Sequence, residues 1–301
     1  MTAPRVALVL GSGGPAAHAF ACGILAGLED ATGFDPRDAD LVIGTSAGAQ
    51  VGSLLRAGMS ASDLCARVTG DDLSPEGAEI ATHFVRPDQH NQPKVRWRPA
   101  QPLLPFRSLL DGNGLSFGHF YAGLKSLGRV SLEEQARRFN ALFSHGWPTK
   151  RLWMPSLNFD TGKFVVFGRD QVPQTSVGQA MSASGADPGV CAPVVIDGER
   201  YVDGGVASPE NTRLLIGSDV DVAIVCSALT RYWGVRRQLR SELAKVAAAG
   251  ITANSVSPDD AVEAAIGPDL FDPALGPATV RAARQLAQRC FDADSLGAAA
   301  P

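Results

Sequence analysis

One pentapeptide in this chain could make a hydroxyl reactive: Gly44-Thr45-Ser46-Ala47-Gly48. It has the G-x-S-x-G form of a nucleophile elbow, in which a serine sits in a strained strand-to-helix turn. Glycines on either side let neighbouring backbone approach without a Cβ clash. Leu41, Val42 and Ile43 before it read as a strand buried on both faces, and Ala47 to Leu55 after it reads as a helix. That is the context the motif requires, and a helix N-terminus behind Ser46 also favours negative charge developing there.

A serine needs a proton acceptor, usually a histidine oriented by a carboxylate. The histidines are His18, His83, His90, His119 and His145. In α/β-hydrolases the order is serine, acid, histidine, and here no histidine follows His145. The elbow also comes at the second strand, earlier than in that fold. His18, near a glycine loop, reads more simply as a packing or capping residue. A carboxylate can replace histidine if burial raises its pKa toward working pH. Asp203 is the best placed, after the apolar strand end Tyr201-Val202 and before Gly204 and Gly205, which allow another loop to come close. Alone, Asp203-Gly204 would read as an ordinary turn. Beside an elbow that lacks a late histidine, it becomes the candidate base.

Gly11-Ser12-Gly13-Gly14-Pro15 lies between the apolar run Val6 to Leu10 and a helix expected from Ala16 to Leu28. Gly11, Gly13 and Ala16 fit a dinucleotide fingerprint, but the next strand ends in Thr45-Ser46, without the acidic residue a ribose wants. A P-loop is excluded, because no Gly-Lys-Ser/Thr follows. The third reading is an oxyanion hole. Pro15 has no N–H, so the donors would be Gly13, Gly14 and Ala47, the residue after the serine.

These pieces need a scaffold, and the chain is long enough to bury a large core. The helix after the elbow is expected over about 50–57, and further helices at 61–68, 131–143, 175–184, 230–249 and 277–290. Hairpins are expected at 152–168 and 193–202, and a buried strand at 220–226. A proline-rich excursion mixing basic and apolar residues, about 84–114, reads either as irregular surface or as a lid facing lipid. A small-residue tail beyond 292 suggests disorder. The expected organisation is a catalytic domain over 1–229, carrying the lid-like excursion, with a helical extension over 230–301 packed on it.

Twenty-seven basic and 31 acidic side chains give a net charge of −4, so no overall positive field would recruit nucleic acid. Five scattered cysteines lack metal-ligand spacing and read as reduced packing residues. No metal and no cofactor is expected. With no leader pattern and no apolar run near the roughly 18 residues a span requires, the expected location is cytoplasmic. Peripheral membrane contact stays open, since Arg231, Arg236, Arg237, Arg240 and Lys245 lie near Trp233 on one expected helix.

Three separated elements coincide with one family: the glycine loop after the first strand, Gly-Thr-Ser46-Ala-Gly after the second, and Asp203-Gly204-Gly205 late in the chain. With Ala183-Ser-Gly-Ala-Asp-Pro188-Gly189 and Val206-Ala-Ser-Pro209, they make the sequence resemble the bacterial branch of the patatin-like phospholipases from about Val6 to Leu229. The resemblance implies a three-layer α/β/α sandwich with a mainly parallel central sheet. It also implies a Ser46–Asp203 dyad working through an acyl-enzyme, Gly13 and Gly14 in the oxyanion loop, and a lipid acyl ester as substrate. The family loop commonly ends in arginine and glycine, whereas this chain has Pro15-Ala16-Ala17-His18. That departure widens the implied activity from phospholipase to acyl-ester hydrolase. The competing expectation is a non-catalytic lipid- or nucleotide-binding protein on the same scaffold.

Overall fold

Alternation along the first strand explains the layers. β1 (Val6–Leu10) is buried at every position, with Val6, Leu8 and Leu10 in one apolar cluster and Ala7 and Val9 in another. A strand reads this way when both faces of its sheet are covered. The computed structural model describes residues 3–83, 128–170, 175–292 and 295. The proline-rich excursion expected at about 84–114 and most of the tail beyond 292 lie outside the described residues.

The other strands are β2 (Leu41–Gly44), β3 (Arg151–Asn158), β4 (Phe164–Phe167), β5 (Val194–Ile196), β6 (Glu199–Asp203), β7 (Val222–Cys226) and β8 (Thr252–Val256). They form one sheet in the order β5-β6-β3-β2-β1-β7-β8, with β4 paired to β3. The run from β3 through β8 is parallel. β4, β5 and β6 add antiparallel pairings at the other side, which reflect the two expected hairpins.

One face is covered by α1 (Gly14–Thr32), α2 (Ala47–Arg56), α3 (Ala61–Thr69), a helix at Val177–Ser184 and one at Gly276–Cys290, whose buried residues share a cluster with Leu8, Leu10 and Ile224. In chain order α4 (Pro75–Ala81), α5 (Glu133–Leu142), α6 (Val177–Ser184), α7 (Trp233–Ala248), α8 (Asp260–Ile266) and α9 (Gly276–Cys290) follow. The opposite face is covered by α7 and a 3₁₀ turn at Thr212–Leu215, through Leu214, Leu215, Leu239 and Val246 against Ala7, Val9, Ala223 and Val225. The result is the expected three-layer sandwich with a mainly parallel central sheet.

Three elements were not expected from the sequence. β8, Thr252-Ala-Asn-Ser-Val256, has no apolar run and is held by its ladder with β7. α4 and α8 are single short helices, each started by a side-chain cap, Ser74 accepting from the Gly77 N–H and Asp259 from the Val262 N–H.

α9 closes the layer by lying very near α1. A Cβ on Gly27 would stand 2.4 Å from the Arg284 carbonyl oxygen and 2.6 Å from the Ala287 Cβ, and one on Gly23 2.5 Å from the Val280 carbonyl oxygen. The two glycines are one turn apart, so they form a groove that receives Ala283 and Ala287, while Arg284 pairs with Asp30 at 2.6 Å. Gly27→Val should therefore force the two helices apart, lowering stability by about 1–3 kcal/mol. A thermal or urea midpoint equal to wild type would show that α9 is not seated in this groove.

Candidate active site

Register brings the elbow together. Leu10 pairs with Gly44 at the ends of β1 and β2, and the Thr45 N–H donates to the Leu10 carbonyl at 2.9 Å. The chain then turns sharply into α2. A Cβ on Gly48 would lie 2.0 Å from the Leu10 carbonyl oxygen, and one on Gly44 2.5 Å from the Gly48 carbonyl oxygen. The two glycines of the motif thus let the turn fold against β1 and against itself. Between them Ser46, half-buried, adopts φ 57 and ψ −115 as the N-cap of α2. This is a costly conformation for a residue with a Cβ, on the order of 1–3 kcal/mol. The Ser46 N–H donates to Ser184 Oγ at 3.1 Å, so α6 supports the elbow from the side.

Asp203 ends β6, one strand beyond β3, opposite Ser156. Its N–H donates to the Ala186 carbonyl at 3.0 Å, and its Oδ1 accepts from the Gly205 N–H at 2.7 Å. The side chain is buried, with 6% of the residue exposed. Desolvation raises its pKa from 3.8 to about 7. A hydrogen-bonding interaction with the Ser46 side chain and the Gly205 N–H oppose the rise, and the nearby charge of Asp187 adds to it. The structure therefore brings Ser46 and Asp203, 157 positions apart in sequence, into one site. A carboxyl titrating near 7 has the proton affinity a general base wants.

The Gly204-Gly205 pair lets the Asp203 loop sit between two neighbours. A Cβ on Gly204 would meet the Pro155 carbonyl oxygen at 2.3 Å, and one on Gly205 would meet Ser12 Oγ at 2.8 Å. Ser12 belongs to the glycine loop, so the three expected elements adjoin. In that loop the Gly11 N–H donates to the Cys226 carbonyl at 3.1 Å and the Ser12 N–H to the Pro209 carbonyl at 2.9 Å. Gly13 and Gly14 carry φ of 138 and 61, a course that residues with a Cβ adopt only under strain. The N–H groups of Gly13, Gly14 and Ala47 donate no hydrogen bond among the described residues. The next amide of α1, Ala16, donates to the Leu270 carbonyl at 3.1 Å, and the Phe271 ring stands over Gly14. A dinucleotide pyrophosphate would need that helix end open.

His18 points elsewhere. It lies on α1, where burial and the charge of Arg67 on α3 lower it to about 3, and it makes no hydrogen bond to Ser46. Of the other histidines, His90 and His119 lie outside the described residues.

Three supporting residues escaped the sequence reading. Ser184 was inside a recognised stretch without an assigned role. Asn211, fully buried at φ 54, donates through Nδ2 to the Ser208 carbonyl at 2.6 Å and to Thr45 Oγ1 at 3.2 Å, tying the loop after Asp203 to the elbow. No spacing rule in the sequence announces such a link. Glu210, 1% exposed, receives a hydrogen bond from the Ser227 hydroxyl on Oε1, while its Oε2 has no partner among the described residues. Desolvation pushes its pKa from 4.5 to about 7 despite the Ser227 bond.

A carboxyl whose folded pKa is raised stabilises the fold fully below its unfolded pKa, and that contribution is lost as pH rises through the folded value. Between pH 5 and 8, wild type should lose stability through both Glu210 and Asp203. Glu210→Gln should lose less over the same interval, by on the order of 2–3 kcal/mol, measured as urea midpoints against pH. Identical pH slopes in the two proteins would rule this out.

The chain was compared with known families, curated proteins and solved structures. The family model described as patatin-like phospholipase matches residues 8–216. No curated protein matches the chain. Twelve chains of solved structures do match. One of these is VipD from Legionella pneumophila, at 16% identity and a TM-score of 0.44, with 96% of this chain and 68% of that chain covered. With the family model spanning the glycine loop, the elbow and the Asp203 loop in one continuous match, the chain belongs to the patatin-like phospholipase family.

Proposed function

We propose that this protein is a serine acyl-ester hydrolase acting on lipid esters, with Ser46 as nucleophile and Asp203 as general base. Membership of a lipid acyl hydrolase family supports an enzyme of that broad class. The observation that carries the finer reading is the buried Asp203 carboxyl, held near neutrality beside a serine in a strained elbow.

In the proposed cycle the Asp203 carboxylate takes the proton from Ser46 Oγ as that oxygen attacks the ester carbonyl carbon. The C=O electron pair moves onto the carbonyl oxygen, which the amides of Gly13, Gly14 and Ala47 would stabilise. As the tetrahedral intermediate collapses, the C–O bond to the alcohol breaks. The departing oxygen takes the proton from Asp203, leaving the acyl group on Ser46. Water, deprotonated by Asp203, then attacks the acyl-enzyme, and Ser46 leaves with that proton while the fatty acid is released. Gly11, Gly44, Gly48, Gly204 and Gly205 act here by permitting close approach of neighbouring chain.

A neutral aspartic acid cannot accept the serine proton. Activity should therefore rise with pH through about 7 and level off above it, since Asp203 must be ionised. A kcat/KM profile flat from pH 5 to 8 would remove Asp203 from that role.

Ser46→Ala and Asp203→Asn should each reduce hydrolysis of a short-chain acyl ester by at least about 1,000-fold while remaining folded by circular dichroism. Turnover near wild type in either would refute the dyad. Saturable fatty-acid or dinucleotide binding by a wild type with no turnover would favour the non-catalytic binder instead. Ser46→Gly, which relieves the elbow, should be inactive yet more stable than wild type by about 1 kcal/mol. A lower melting midpoint for that variant would mean the elbow holds no strain.

A further inference from the structure

The arginines of this surface are mostly matched to acids. Arg5 pairs with Asp219, Arg37 with Asp35, Arg231 with Glu263, Arg284 with Asp30 and Arg289 with Asp259. The first turns of α7 depart from this pattern. Arg236, Arg237 and Arg240 are exposed and have no acidic partner among the described residues. They line one shallow concavity with Trp233, a residue 66% exposed whose ring lies 5.5 Å beneath the Arg237 guanidinium. Their spacing, Trp233, Arg236 and Arg237, then Arg240, places them on one stripe of α7. Leu239, Glu242 and Val246 of the same helix are buried.

Apolar side chains also border the glycine loop, one of them, Leu229, a few residues before this stripe in the chain. Leu229 lies against Gly13 and Phe271 against Gly14. Phe271 is 45% exposed. The Tyr232 N–H closes a turn on the Leu229 carbonyl at 3.0 Å, so exposed Tyr232 (49%) and Trp233 (66%) follow Leu229 within one turn of chain. Exposed aromatic rings, two of them with a polar edge, beside guanidinium groups without an acidic partner among the described residues match a lipid headgroup boundary, where the rings enter the interface and the cations meet phosphate. A protein of net charge −4 gains no general attraction to an anionic bilayer, so the attraction must be local.

We propose that the stripe formed by Trp233, Arg236, Arg237 and Arg240, continued by Tyr232 and Phe271, is a docking surface for an anionic phospholipid bilayer. It turns the glycine-loop side of the site toward the membrane. The inference rests on the hydrolase reading only for the purpose of docking, because the contact itself requires no turnover.

Binding is therefore measured on the Ser46→Ala protein, by sedimentation with vesicles of phosphatidylcholine alone and of phosphatidylcholine with phosphatidylglycerol. The protein should partition onto the anionic vesicles, weakly onto the neutral ones, and less as salt is raised. The triple variant R236Q/R237Q/R240Q should bind anionic vesicles roughly 100-fold more weakly, at about fivefold per lost cation. Trp233→Ala should weaken binding without removing the salt dependence. In otherwise wild-type protein the triple variant should hydrolyse a soluble short-chain ester at the normal rate. Equal vesicle binding by the triple variant and its parent, or no binding by the parent, would overturn the proposal. So would light scattering that shows a dimer dispersed by the triple substitution with vesicle binding unchanged, which would assign the stripe to a second copy of the chain. Loss of soluble-ester turnover in wild type itself would refute the hydrolase reading and leave the vesicle result standing.

Discussion

The contact between α2 and the end of β1 is the constraint from which the site follows. Only the missing side chain of Gly48 allows the helix to begin within 2.0 Å, measured to a would-be Cβ, of the Leu10 carbonyl oxygen. Because α2 must start there, the chain has no room for a relaxed turn after β2, and Ser46 takes its positive φ. The same contact sets the glycine loop, which leaves β1 one residue after Leu10, next to the elbow. Thr45 completes the link, with its amide on Leu10 and its hydroxyl accepting from Asn211.

Asp203 depends on this frame through its surroundings. β6 pairs with β3 antiparallel, so its C-terminal end arrives at the level of Ser156 and delivers the carboxyl into a dry space. Desolvation there disfavours the charged form, while the Gly205 N–H and Ser46 favour it, and the balance falls near neutrality. Glu210, a few residues further on, feels the same loss of solvent with one hydroxyl partner and settles at a similar value. Two carboxyls raised to about 7 in one buried region mean that these two groups carry little charge at acid pH and acquire it as pH rises. The chemistry thus requires ionisation in the range where it costs the fold stability.

The outer surface near the site has a different character from its interior. Within, the Asp203 and Glu210 carboxyls are enclosed, one accepting from the Gly205 N–H and the other from the Ser227 hydroxyl. Outside, the glycine loop is bordered by Leu229 and Phe271 and then by the aromatic and basic turn at Tyr232 to Arg240. Glu242 on the inner side of α7 accepts from Thr212 and from the Arg213 N–H, and Gln238 donates to the Ala207 carbonyl. The helix that carries the exposed stripe is therefore anchored directly to the segment following Asp203.

Local chemistry was legible in the chain itself. Gly-x-Ser-x-Gly after an apolar run reads as a tight strand-to-helix turn, Gly13-Gly14 permits a backbone course other residues resist, and the apolar runs of β1, β2 and β7 read as interior strands. Those are short-range facts of sterics and hydrophobicity, so the elbow, the loop, the sandwich class and the candidate pair could be read before any coordinates. Long-range facts could not. β8 is a strand because the edge of β7 offers it a ladder, not because Thr252-Ala-Asn-Ser-Val256 is apolar. Ser184 and Asn211 support the elbow through hydrogen bonds spanning 138 and 166 positions, which no periodicity encodes. The proton affinity of Asp203 belongs to this second kind as well: the side chain is named by the sequence, but its pKa is set by how much water the assembled loops exclude, and only the tertiary structure decides that.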